Sequence, residues 1–138
     1  MSNVSLEMAQ KALEAAIAKA VEIGSPSSIA VIDAGRELVG FARMDGALLA
    51  SVHIAQAKAY TARSLNAATK DWGDFVQPGA PLFGLDVAHM AVGKPLITFG
   101  GGVPITVDGE VIGAVGVAGG YPDQDHEIAS AGAAALAG

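Results

Sequence analysis

The chain has 138 residues, no cysteine, eight Lys and Arg against fourteen Asp and Glu, and a formal net charge of -6. That length suits one domain with one core, and the missing thiols exclude disulfides, iron–sulfur clusters and thiolate zinc sites. The acidic balance, without any cluster of basic residues, argues against nucleic acid and anionic membrane surfaces, since both are bound by grouped Lys and Arg releasing counterions.

The first helix is expected to begin at Ser5, whose hydroxyl can accept a free backbone amide, with Glu7 adding negative charge to the first turn. Leu6, Ala9, Leu13, Ala16, Ile17, Ala20 and Val21 then recur at helical spacing up to Gly24. Residues 28–33 alternate and are rich in branched side chains, Asp33-Ala34-Gly35-Arg36 carries turn chemistry, and residues 37–43 form the returning strand. The longest helix follows over residues 48–68, dense in alanine and free of proline and glycine. Residues 71–85 hold Trp72, Pro78, Gly79, Pro81 and Gly84 and read as a loop, with one helical turn near 73–76 and another near 86–90. Residues 96–99 read as a short strand, and residues 105–107 and 111–117 as a second hairpin across Asp108-Gly109. Pro122 opens a final helix that runs to about residue 135.

Hairpin connections require antiparallel neighbours and exclude a doubly wound parallel sheet. The expected architecture is α/β in the α+β sense: one domain over residues 1–138, with a five-stranded antiparallel sheet and helices packed on its faces. Hydrophobic residues make up 51% of the chain, and the mean hydropathy is +0.44. No apolar run approaches the roughly 20 residues of a membrane span, so the excess points to apolar surface covered by other copies of the chain. Residues 1–5 lead into the helix without a basic stretch and a long apolar one, and a cytoplasmic location is expected.

Several blocks, in this order and spacing, resemble the GlcG/HbpS-like family, to which the C-terminal domain of PduO-type proteins also belongs. They are Ser28-Ile29-Ala30-Val31-Ile32-Asp33-Ala34-Gly35, Phe41-Ala42-Arg43-Met44-Asp45-Gly46-Ala47, Ala57-Lys58-Ala59-Tyr60-Thr61-Ala62, Phe99-Gly100-Gly101-Gly102-Val103-Pro104-Ile105, and Gly113 to Gly120 followed by Gln124-Asp125. The resemblance implies a profilin-like fold and a homo-oligomer. It also implies a role in binding haem or in accompanying catabolic enzymes of small organic molecules.

Candidate residues divide by chemistry. The run Gly100, Gly101, Gly102 precedes a strand and lacks the helix N-terminus that would hold a phosphate. A tight backbone crossing remains, or, as the resemblance implies, a pocket wall shared with Pro104. Arg43 has the planar fork that clamps a carboxylate, with an exposed ion pair to Asp45 as the alternative. His53, His89 and His126 could each reach haem iron or another metal through neutral imidazole. His53 shares the polar side of the long helix with Gln56, Tyr60 and Arg63, where an exposed or interface histidine would also lie. His89 neighbours Phe83, Val87 and Met90, a setting suited to a porphyrin edge or to plain packing, while His126 falls on a polar face and reads as exposed. Should no histidine serve, Tyr60, Thr61 or Tyr121 offers oxygen.

Two charges stand on apolar faces. Lys58 projects with Ile54, Thr61, Ala62 and Leu65, and Asp125 projects with Ile128, Ala129, Gly132 and Leu136. Buried lysine and aspartate need partners, so the two are expected to meet beside the glycine run; the alternative is a lysine stem snorkelling to water and a carboxylate capping local amides. The leading function is a small-ligand-binding accessory protein, for haem or a cofactor of similar size, working as a homo-oligomer. The alternatives are an enzyme acting on a small organic acid or aromatic-catabolism intermediate, with Lys58 and Asp125 catalytic through proton transfer, and an interaction module without a ligand.

Overall fold

A computed structural model describes residues 2–137; Met1, where the expected N-terminal reading begins, and Gly138 lie outside them. Helix α1 spans Leu6–Ile23, with Ser5 Oγ accepting from the Met8 amide at 3.1 Å, and Gly24 ends it at φ 79°. Strands β1, Ser28–Asp33, and β2, Leu38–Arg43, form the first hairpin. Its turn is closed by the Arg36 amide on the Asp33 carbonyl at 3.0 Å and the Glu37 amide on Asp33 Oδ1 at 2.9 Å. Arg36 itself takes φ 70°. A side chain in that left-handed region costs about 1–2 kcal/mol, which glycine would avoid.

Helix α2 is Ser51–Leu65, shorter than the 48–68 expected, because Asn66 turns left-handed at φ 50° and closes the last turn on the Ala62 carbonyl. Residues 69–76 coil into a 3-10 helix, and Leu85–Ala88 forms the short α3, followed by a further 3-10 turn over residues 89–92. Strands β3, Gly102–Val107, and β4, Glu110–Ala118, pair across Asp108-Gly109, both at positive φ, before α4, Pro122–Ala134. The sheet has four antiparallel strands in the order β2-β1-β4-β3.

The expected fifth strand, residues 96–99, is absent. Its backbone is held by side chains instead of a neighbouring strand: the Ile97 amide donates to Thr61 Oγ1 at 2.9 Å, and Thr69 Oγ1 donates to the Phe99 carbonyl at 2.7 Å. Strand β3 begins three residues earlier than expected and takes in Pro104, which an edge strand tolerates. Among the described residues no helix is long and apolar enough to cross a membrane.

Strand alternation separates two cores. Ile29, Val31, Val115 and Val117 face α1 and α4, while Ala30, Ile32, Ala114 and Ala118 face α2. The second layer is thin because its residues are small. A Cβ on Gly116 would lie 2.0 Å from the Ala55 carbonyl oxygen and 2.5 Å from the Ala59 amide nitrogen, so α2 rests its backbone on β4. Gly116→Ala is therefore expected to lower the unfolding free energy by about 3 kcal/mol in urea melts, the upper part of the usual overpacking range, since backbone rather than a movable side chain blocks it. A loss within experimental error would mean that α2 can lift off the sheet freely.

Candidate functional site

The inward face of α2 carries a charge into the centre of the molecule. Lys58 is 1% exposed, and its Nζ donates to Asp125 Oδ2 and to the Val117 carbonyl, each at 2.9 Å. Its ammonium lies 5.0 Å from the centroid of the Phe99 ring. Asp125, 2% exposed, spends its other oxygen on the Gly120 amide at 3.0 Å. Burial pushes the Lys58 ammonium below the usual lysine range, the loss of water outweighing the pull of the Asp125 carboxylate.

The glycine run packs directly on this pair. A Cβ on Gly101 would stand 2.6 Å from Lys58 Nζ, and one on Gly102 would stand 2.4 Å from the Lys58 carbonyl oxygen. Thr69 Oγ1 accepts from the Gly102 amide at 3.0 Å, and the Val117 amide donates to the Gly101 carbonyl at 2.8 Å, so the turn is latched from two sides. All three glycines are buried. The run is a close crossing of backbone over the ion pair.

The outward face of α2 lines a cleft of about 380 Å³. Ile32, Leu38, Ala57 and Pro95 supply apolar surface, and Arg36, Glu37, His53, Gln56, Tyr60 and Lys94 supply the polar groups. Arg36 Nη1 donates to the Tyr60 hydroxyl at 3.1 Å, and its guanidinium carbon lies 4.8 Å from the ring centroid. Lys94 Nζ approaches the same ring at 5.8 Å. His89 stands beside Tyr60, with ring centroids 6.3 Å apart, and its Nδ1 hydrogen bonds to the Lys94 carbonyl. A carbonyl only accepts, so Nδ1 donates here, and in the neutral ring the lone pair is then on Nε2.

The residues singled out in the sequence thus fall into separate places. Lys58, Asp125, Gly100, Gly101 and Gly102 come together in the interior; His53 and Tyr60 line the cleft, with His89 at its edge. Arg43 lies at the end of β2 away from the cleft and forms no salt bridge with Asp45, and Pro104 sits in β3, so neither shares the cleft. The cleft lies between α2 and the tip of the first hairpin, and the glycine run is not among its lining residues. Arg36 and Lys94 are the charged cleft residues that pattern reading passed over, Arg36 because it stood in a turn and Lys94 because it stood in a loop. The left-handed conformation at Arg36, where glycine is the cheap choice, is the signal that marks it.

His126 is half-buried rather than exposed. Its Nδ1 has no hydrogen-bond partner, while Nε2 is 3.3 Å from Ser130 Oγ. Among the described residues no group of three or more His, Asp or Glu side chains is disposed to hold a bare metal ion.

An α+β domain with a mixed polar and apolar cleft outside its sheet is the class that this geometry defines. The chain matches the family model described as haem degrading protein HbpS-like over residues 4–134, and it belongs to that family. It is 41% identical over 129 residues, 94% of its length and 89% of the relative's, to an uncharacterized 15.0 kDa protein in the dhaT-dhaS intergenic region of Citrobacter freundii. The corrinoid adenosyltransferase PduO of Salmonella typhimurium is 42% identical over 123 residues, which are 88% of this chain but 35% of that protein. Among solved structures, the PduOC:haem complex superposes with a TM-score of 0.89 at 37% identity, covering 96% of this chain and 94% of that one.

Two predictions follow from the buried groups. Lys58→Met is expected to cost about 3–5 kcal/mol in denaturant unfolding because Asp125 is left without its counter-charge, and adding Asp125→Leu should recover much of that loss. His126 has its pKa held below the ordinary 6.5, first by burial and then by Lys70, against the opposing pull of Asp71 and Asp123. A depressed value means that the unfolded chain takes up this proton first. The stability contribution is present above pH 6.5 and is lost as pH falls through the lower folded value, so His126→Gln should flatten thermal stability across that acidic window.

Proposed function

We propose that the protein is a haem-binding accessory protein whose ligand occupies the cleft between α2 and the tip of the first hairpin. The observation that carries this reading is the composition of the cleft: apolar walls, two cations and the His53 imidazole line one opening of about 380 Å³, within the usual range for a small-molecule site, and His89 stands beside Tyr60 at its edge. A porphyrin is a broad apolar plate with two carboxylates and a metal, and each feature has a counterpart there. Ile32, Leu38 and Pro95 face the plate, and Arg36 and Lys94 hold carboxylates. His53 from the cleft wall, or His89 through its free Nε2, ligates the iron. The haem complex of a relative with the same fold supports the choice of ligand. What bound haem supplies is the redox chemistry of its iron, tuned by the axial residue and its surroundings.

Proton-transfer catalysis by Lys58 and Asp125 is the weaker reading, since a substrate would need to reach an ammonium that is 1% exposed. We read the pair as architectural. The exposed Leu82, Phe83, Val87, Met90 and Val92 on the connection before β3 support self-association, for that much apolar surface in one segment is otherwise unfavourable in water.

Titration of the purified protein with hemin is expected to give a saturable Soret shift, with affinity reduced about tenfold by Arg36→Ala through loss of a charge-assisted hydrogen bond. Either His53→Ala or His89→Ala should change the ligand-field bands. A spectrum equal to free hemin plus protein would refute the haem reading, unchanged bands in both variants would refute histidine ligation, and a scattering mass of 13.7 kDa would refute self-association.

A further inference from the structure

The cationic surface does not stop at the main cleft. A second, shallower cleft of about 290 Å³ adjoins it, lined by Ala34, Gly35, Arg36, Arg63 and Ser64. Arg36 belongs to both: its Nη1 reaches the Tyr60 hydroxyl at 3.1 Å on one side and Ser64 Oγ at 3.3 Å on the other. Tyr60 and Ser64 are four residues apart on α2, so the guanidinium lies along the helix surface and joins the two openings.

Arg63 is fixed as firmly. Its Nε donates to the Ala34 carbonyl at 2.8 Å and its Nη1 to Asn66 Oδ1 at 2.6 Å. Every acceptor of the two arginines is neutral, so their planes are set while their charge stays whole. Among the described residues the salt bridges are those of Lys19 and Lys58, which leaves Arg36 and Arg63 without carboxylate partners. Neither acidic residue of the hairpin is among the lining residues of this opening: Asp33 Oδ1 accepts from the Glu37 amide, and Glu37 lines the main cleft. In a chain of net charge -6, two oriented and unneutralised guanidiniums on one opening suit an oxyanion, which a planar fork binds with two parallel hydrogen bonds.

We propose that the Arg36 and Arg63 cleft is a carboxylate subsite. It takes an acidic substituent of the ligand whose body lies in the main cleft, and Arg63 sets the preference for the free acid over a neutral ester. The identity of the ligand body rests on the haem reading; the subsite rests on the two arginines.

The test compares hemin with hemin dimethyl ester, which has the same plate and metal but no free carboxylate. Arg63→Gln is expected to weaken hemin binding about tenfold or more, the scale of one charge-assisted hydrogen bond, and to leave the affinity for the ester unchanged. Arg63 also ties α2 to Ala34, so Ser64→Asp serves as a second variant that sets a carboxylate against Arg36 and keeps the tie; the same selective loss is expected. Equal losses for hemin and ester, or no loss for hemin, overturn the proposal, because a purely structural arginine would not distinguish acid from ester. If the parent protein binds no hemin, the haem reading falls and the subsite is judged with the dicarboxylate glutarate. Movement of the Gly35 amide signal in the parent but not in Arg63→Gln supports the subsite, and an unmoved signal in the parent overturns it.

Discussion

Lys58 places a full charge where water cannot follow, and the surrounding elements are arranged to answer it. A charge in a low-dielectric interior persists only if it is paired and its remaining hydrogen-bonding capacity is used. Three parts of the chain meet that demand: α4 brings Asp125, the end of β4 brings the Val117 carbonyl, and Phe99 brings its ring. Asp125 is satisfied in turn by Gly120. The helix, the strand and the turn cannot shift independently without unmaking one of these bonds, so the pair fixes their relative position more tightly than apolar contact alone would.

That constraint explains why glycine and alanine crowd this region. The lysine side chain leaves no room for a side chain on Gly101, the backbone of α2 leaves none on Gly102 and Gly116, and the thin alanine layer lets α2 come down onto β4. Burial of so little apolar surface on this side gives modest hydrophobic stabilisation. The polar bonds through Lys58, Thr61 and Thr69 therefore carry a larger share of the attachment of α2 and the connection before β3 than is usual.

The outward face of α2 inherits that rigidity. His53, Gln56 and Tyr60 project from a helix whose opposite side is bolted to the sheet, and Arg36 reaches them from a turn held in a conformation that its side chain disfavours. A cleft built on such a frame keeps its polar groups oriented before a ligand arrives, which lowers the ordering cost of binding. The buried charge of Lys58 and the charges of the cleft thus lie on opposite sides of one helix.

The inward direction of Lys58 and Asp125 was legible in the sequence because helical periodicity alone decides which residues share an inward face, and a buried lysine and a buried aspartate each need a partner; that they meet although α2 and α4 pack on opposite faces of the sheet is seen only in the structure. The hairpins were legible for a related reason: Asp108-Gly109 and the turn after Asp33 specify local backbone geometry. The absence of a fifth strand was not, since residues 96–99 have strand composition and only the approach of Thr61 and Thr69 shows that hydroxyl groups replace a ladder. Of the cleft, the sequence picked out His53 and Tyr60 on α2 but not their surroundings. Arg36, Tyr60 and Lys94 come from a turn, a helix and a loop that no local pattern links, and their convergence depends on how far α2 sinks onto β4. Sequence determined which faces point inward, because that is a matter of period; tertiary packing decided where the outward faces meet, because that is a matter of distance between elements.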